Sequence, residues 1–391
     1  MTQAFDQIFV TLKQWAVLHS PAGLQPTVSV LLSIVPVLVI FPSLFAVTTI
    51  LERKGLARIQ NRYGPNRVGP FGFLQPLADG LKSLTKEDIV PVAADKWLHF
   101  AAPLLLVMIA FLEYAVIPVG RNMVVADLDS GLLYFFAMSA AMELSIFMAG
   151  WSSRNKYSLL GAMRAVAQMI SYEAPLILSS IAAVMAAGSL STVTIVERQA
   201  GYSGIWPHWY VLTPWGLAGF LLFMIAATAE SNRSPFDLPE GESEIIAGYF
   251  TEYSGFKFAL FFLGEYLGMF AISGLAITLF LGGWAAPFSF LTWVPSWIWF
   301  FAKLLALIAI LIWVRGTLPR LRMDQLMNFA WKFMLPMTLV VILSAGIWRF
   351  LPPGLLRWVI CAVPIAGLYL VLGRALTGGQ RIQKRIYRFA E

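Results

Sequence analysis

The stretch Val28–Leu51, VSVLLSIVPVLVIFPSLFAVTTIL, contains no charged side chain. A helix rises 1.5 Å per residue, so about 20 such residues cross the apolar core of a bilayer. This stretch therefore reads as a membrane span. Eight more segments read the same way: 98–118, 131–150, 164–187, 215–230, 256–282, 297–315, 331–350 and 355–373. The segment 215–230 is short and ends on a polar residue, which sets it apart. Composition agrees, with 59% hydrophobic and 13% charged residues in 391, where a soluble domain carries about 25% charged. The expected fold is an all-α polytopic membrane protein, a single membrane domain over 1–391 with about nine transmembrane helices plus interfacial amphipathic helices. Soluble, disordered and disulfide-stapled classes are excluded. Cys361 is the one cysteine, and His19, His99 and His208 are the three histidines. That set has neither the count nor the spacing of an iron–sulfur or zinc site, so the expectation is no metal and no redox centre in this chain.

The net charge of +7 reads as topology. With the N-terminus outside, segments 52–97, 151–164, 231–257, 315–332 and 374–391 lie inside and hold 22 of the 28 basic residues. Only Lys13, Arg121, Arg198, Arg349 and Arg357 lie outside, as the positive-inside rule requires. No nucleic-acid partner is expected. Residues 1–20 place Phe5, Ile8, Phe9, Leu12, Trp15 and Ala16 on one helical face, which suggests a helix lying on the outer surface.

Three features depart from a plain bundle. The loop 52–97 is long. It begins ERKGLARIQNRYGPNRVGP (52–70) and continues into an amphipathic helix with Leu74, Leu77, Leu81 and Leu84 on one face. Second, Glu113, Glu143, Glu173 and Glu265 lie inside spans, and Glu230 ends one. An acid at the centre of a span costs roughly 2.5–3.5 kcal/mol and persists where it pairs, protonates or lines water. Counting from the cytoplasmic ends of the predicted spans puts Glu143 about 10 Å deep and Glu173 and Glu265 about 14 Å deep. Lys303 could pair with one of them, but not with three. Third, the loop 231–257 carries Asp237, Glu240, Glu242, Glu244 and Glu252 against Arg233 and Lys257. Its carboxylates respond to nearby charge, and Gly241, Gly248 and Gly255 permit rearrangement.

Four stretches carry a resemblance: GFLQPLADGLKSLTKED (72–88), GWSSRNKYSLLGAMRAVAQMISYE (150–173), AESNRSPFDLPEGESE (229–244) and RGTLPRLRMDQLM (315–327). Over about residues 28–350 they resemble the H-subunit family, membrane subunit 1 of proton-pumping NADH:quinone oxidoreductase, respiratory complex I. The resemblance implies a tilted helix bundle that forms the quinone-access chamber and the start of a proton path. It implies chamber residues at Arg53, Arg62, Asp79, Arg233, Phe236 and Asp237. It implies proton-path acids at Glu143, Glu173, Glu230, Glu240, Glu242, Glu244 and Glu265; Glu113 is not carried over. It also implies quinone as substrate, with NADH, FMN and iron–sulfur clusters held by partner subunits. Partners would be the peripheral quinone-module and membrane-arm subunits and membrane lipids. The place would be a bacterial inner membrane, with the N-terminus outside and the C-terminus cytoplasmic. The span 355–373 extends past shorter family members.

Three other functions compete: an ion-translocating subunit of a membrane-bound hydrogenase, an autonomous proton-coupled transporter, and a passive anchor. EGESE (240–244) is closer to the quinone-reducing branch, no internal repeat suggests a transporter, and an anchor has no use for intramembrane acids.

Overall fold

The computed structural model describes residues 5–238 and 247–378. Eight of its helices are long and apolar enough to cross a membrane. They are α2 (Gln25–Ile59), α4 (Lys96–Glu113, extended by a 3-10 turn to Val116), α5 (Gly131–Ser152), α6 (Lys156–Ala187), α9 (Gly255–Phe280), α10 (Ser296–Thr317), α11 (Met323–Phe350) and α12 (Leu355–Gly378). The ninth predicted span is α8 (Pro214–Glu230), which is shorter. The other α-helices among the described residues are α1 (Ile8–Leu18), α3 (Gln75–Thr85) and α7 (Thr192–Gln199), and β1 (Tyr202–Ser203) pairs with β2 (Trp206–Pro207) in a small hairpin.

The core follows α9. Of its most apolar stretch 72% is buried, against 6% for α2 and for α12, so α9 is the axis and those two are outer staves. Small residues bring helices against it. A Cβ on Gly264 would stand 2.8 Å from Leu106 of α4, and one on Gly268 would stand 3.2 Å from Met142 of α5. These glycines belong to the sequence GEYLG, a small-xxx-small pattern that favours close helix approach. α1 keeps an exposed apolar face. It is tied to α10 by Asp6, whose Oδ1 accepts from the backbone N–H of Ser296 at 2.6 Å, the first residue of that helix.

Three expectations need correction. The first span does not stop at Leu51: α2 continues to Ile59, and Glu52 and Ala57 are buried in its last turns. Residues 52–59 of the expected loop are therefore helical. Second, α6 begins at Lys156 and not at 164, so Glu173 stands ~26 Å from its start rather than about 14 Å. The Asn155 side chain caps the earlier start by accepting from Tyr157 N–H. Third, Lys303 pairs with none of the acids. Its ammonium donates to the carbonyls of Leu281, Gly283 and Ala285 at 2.7, 2.8 and 2.7 Å. It thereby satisfies acceptors left open past the end of α9.

Candidate functional site

Two arginines are placed by the same backbone device. At the end of α8, Asn232 is left-handed (φ 49°), its N–H donates to Ala229 O, and Arg233 N–H donates to Thr228 O. At the end of α2, Asn61 is left-handed (φ 56°), its N–H donates to Arg58 O, and Arg62 N–H donates to Ala57 O. Each is a Schellman motif with Asn in the left-handed position, and each puts an arginine directly after that asparagine. A 17-residue helix such as α8 spans only ~26 Å, less than the ~30 Å core of a bilayer. The chain after it turns back into protein. Asn232, Phe236 and Leu238 are buried, and Gln168 of α6 pins the turn by donating to Ala229 O and Phe236 O, both at 2.7 Å.

Arg233 meets Glu52 there, with Nη1 at 3.0 and 3.1 Å from the two carboxylate oxygens. Arg315 of α10 donates to the same carboxylate, and Tyr266 of α9 donates to it at 2.5 Å. The Arg233 guanidinium also lies 3.9 Å over the Tyr266 ring. Burial works against its charge, but Tyr266 and Glu52 more than offset this, so Arg233 is held more firmly protonated than usual. A cavity of 20 Å³ is lined by Asn232, Arg233, Asp237, Glu265, Tyr266 and Arg315. A second, of 30 Å³, is lined by Glu113, Ser139, Met142, Asn232, Glu230 and Glu265 among others. Asn232 and Glu265 line both, so the arginine-lined cavity and the acid cavity share a wall. Each has room for at least one water by the criterion of roughly 10–15 Å³.

The remaining acids surround that wall. Ser139 of α5 donates to Glu230, and Tyr249 donates to Glu265 at 2.7 Å. Glu143 is within electrostatic reach of Glu173 and Glu230, Glu113 of Glu230, and Glu265 of Arg233, Asp237 and Arg315. Glu230 is buried, whereas Glu143, Glu173 and Glu265 are half-buried. Low-dielectric surroundings make such charges interact strongly.

The sequence-predicted residues divide into groups. Arg233, Asp237, Glu230 and Glu265 converge on the two cavities, with Glu143 and Glu173 beside them. Arg53 and Asp79 meet each other, 2.7 Å apart between α2 and α3, and Arg53 is exposed. Arg62 is exposed and donates to Gln60 at 2.8 Å. These three line neither cavity. Phe236 also lines neither; its ring packs 5.4 Å from that of Tyr172. Glu240, Glu242 and Glu244 lie outside the described residues. Sequence reasoning missed Glu52, Arg315 and Tyr266. Glu52 carried no signal of its own, standing at the edge of an apolar run where the sequence does not show that the helix continues. Among the described residues, no group of three or more His, Cys, Asp or Glu side chains is gathered as metal ligands would be.

The sequence has relatives among known proteins. A family model described as NADH dehydrogenase matches residues 32–346. The match takes in α2 through nearly all of α11 and stops short of α12. The chain is 48% identical over 336 residues to the NADH-quinone oxidoreductase H subunit of Dehalococcoides mccartyi (strain CBDB1), covering 85% of this chain and 91% of that one. It is 49% identical over 313 residues to the corresponding H 1 subunit of Geobacter metallireducens, covering 78% and 91%. It is 45% identical over 334 residues to the H subunit of Burkholderia vietnamiensis, covering 84% and 93%.

Proposed function

The chain belongs to the H-subunit family of NADH-quinone oxidoreductase, and from that premise we propose that it forms the quinone-access chamber and the start of the proton path of the complex. The observation that carries this reading is the shared wall: Asn232 and Glu265 border both the arginine-lined cavity and the acid-lined cavity. The bilayer would be a bacterial inner membrane, with the N-terminus outside. Partners would be the peripheral quinone-module and membrane-arm subunits together with lipid. NADH, FMN and iron–sulfur clusters in partner subunits would supply the electrons.

A quinone headgroup gains negative charge as it is reduced. Arg233 and Arg315 offer cations to that charge, and both are partly committed to Glu52. A nearby anion draws on the same guanidiniums and so changes the field at Glu265, which interacts with both arginines. A changed field alters the proton affinity of a carboxyl. Protons would then redistribute among Glu265, Glu230, Glu173 and Glu143. Arg53, Arg62 and Asp79 would serve the approach of the headgroup from lipid, along the exposed apolar face of α3. Phe236 would shape the turn that positions Arg233, and Asp237 would add charge to the chamber. Glu240, Glu242 and Glu244 would take up protons.

The test is Glu230→Gln in the assembled complex in sealed vesicles. Glutamine keeps the size of the side chain but does not titrate. Oxidation of NADH by ferricyanide should persist, while quinone reduction and proton transport fall together at least tenfold. Wild-type proton transport in that variant would remove Glu230 from the path and sink the reading.

A further inference from the structure

Glu113 ends α4 and is 2% exposed. It lines the acid cavity together with Glu230, Glu265 and Ser139. It comes from a different helix than any acid assigned above, and the sequence motifs of the family do not include it. Glu52 is engaged by Arg233, Arg315 and Tyr266, and one carboxylate oxygen of Glu230 by Ser139, the other being buried without a partner. Among the described residues no hydrogen bond or ion pair holds the Glu113 carboxyl. A buried carboxyl without a partner is costly, and a carboxyl facing a polar cavity can recover that cost from water.

Position gives the residue a direction. Glu113 lies ~26 Å along α4 from Lys96, so it stands toward the end of the bundle away from the long loop 52–97. Ser139 lies ~12 Å from the start of α5 (Gly131), in the half of that helix toward the same end. Glu230, which Ser139 contacts, is the inner terminus of the short α8. The acid cavity is therefore bordered by Glu265, which also borders the arginine-lined cavity, by Glu230 and Ser139, and by Glu113.

We propose that Glu113 is a further proton-carrying residue, the station beyond Glu230 on the side away from the quinone chamber. This rests on the proton-path reading above. The transfer is conservative. An O–H bond breaks at the Glu230 carboxyl as one forms on a cavity water or on the Ser139 hydroxyl. The proton displaced from that oxygen forms an O–H bond at the Glu113 carboxylate, and no electrons change hands. Glu113 and Glu230 line the same cavity within electrostatic reach of each other, so a proton arriving at one changes the charge felt by the other.

The experiment sets Glu113→Gln beside Glu230→Gln in the assembled complex in sealed vesicles. It reads NADH:ferricyanide activity, quinone reduction, proton transport and the pH profile of quinone reduction. Glu113→Gln should keep the ferricyanide rate and lose at least tenfold in proton transport and in coupled quinone reduction. Glu113→Asp, which still titrates, should recover part of the rate with a displaced pH profile. Wild-type transport in Glu113→Gln beside impaired transport in Glu230→Gln overturns the station at Glu113 and leaves the path reading standing. Wild-type transport in both overturns the path reading and this inference with it. If Glu113→Gln does not assemble, Glu113→Asp decides: a slowed rate with a displaced profile supports the proposal, and an unchanged rate and profile overturns it.

Discussion

Arg233 holds Glu52 through a single nitrogen, 3.0 and 3.1 Å from the two carboxylate oxygens, across 181 positions of sequence. The contact joins the end of the short α8 to the last turns of α2. Removing one member of a buried pair leaves the other uncompensated, at about 3–5 kcal/mol. Glu52→Ala strands both Arg233 and Arg315. We expect the assembled complex to lose thermal stability and yield by an amount in that range. Glu52→Gln, which keeps the acceptor oxygen, should lose less. Equal stability of Glu52→Ala and wild type would show that the cluster carries little of the packing.

Arg53 and Asp79 form the opposite case. Their pair is exposed, at 52% and 29% of the side chains, and an exposed pair contributes about 0.2–1 kcal/mol. Arg53→Ala should leave assembly and thermal midpoint nearly unchanged. On the proposed reading it should raise KM for a short-chain quinone severalfold, with kcat less affected. Steady-state kinetics at varied quinone concentration separate the two, and an unchanged KM would remove Arg53 from the approach route.

The two asparagine turns predict a residue preference. A left-handed backbone costs an L-residue roughly 1–2 kcal/mol, and Asn and Gly escape most of it. Asn232→Gly should assemble nearly as wild type. Asn232→Ala should destabilise by about 1 kcal/mol or more and slow quinone reduction, because Arg233 is the next residue. Parallel Gly and Ala variants of Asn61 should show the same ordering, read by thermal unfolding.

Much of the fold was legible because apolar runs of spanning length have few alternative readings, and an acid inside such a run stands out. Glu143, Glu173, Glu230 and Glu265 were visible on that ground alone, and the short length and polar end of α8 set it apart from the other spans. Glu52 was not visible, because an acid at the edge of an apolar run looks the same whether the helix stops or continues. Lys303 was misread for a related reason. A lysine inside a span suggests an acidic partner, and nothing local reveals that three carbonyls past the end of α9 come within its reach. The arginines of the two asparagine turns shared a short signal, Asn-Arg at the close of a helix, whose meaning depends on the backbone turning there.

Gly161 makes a packing prediction. A Cβ at that position of α6 would stand 2.7 Å from Gly248 Cα and 3.0 Å from Tyr249 N, so backbone must move to admit it. Overpacking of this kind costs about 1–3 kcal/mol. Since Tyr249 holds Glu265, Gly161→Ala should impair coupled turnover as well as stability, while ferricyanide reduction by partner subunits stays normal. Full turnover in Gly161→Ala would show that this contact can relax without disturbing Glu265.

The central claim is that this chain lines the quinone chamber, and the most direct measurement is photolabelling of the assembled complex in its native membrane with an azido-quinone. The account predicts label, displaced by excess unmodified quinone, on peptides of this chain that carry Arg53–Arg62 or Arg233–Asp237. Displaceable label confined to other subunits, with none on those peptides, would contradict it.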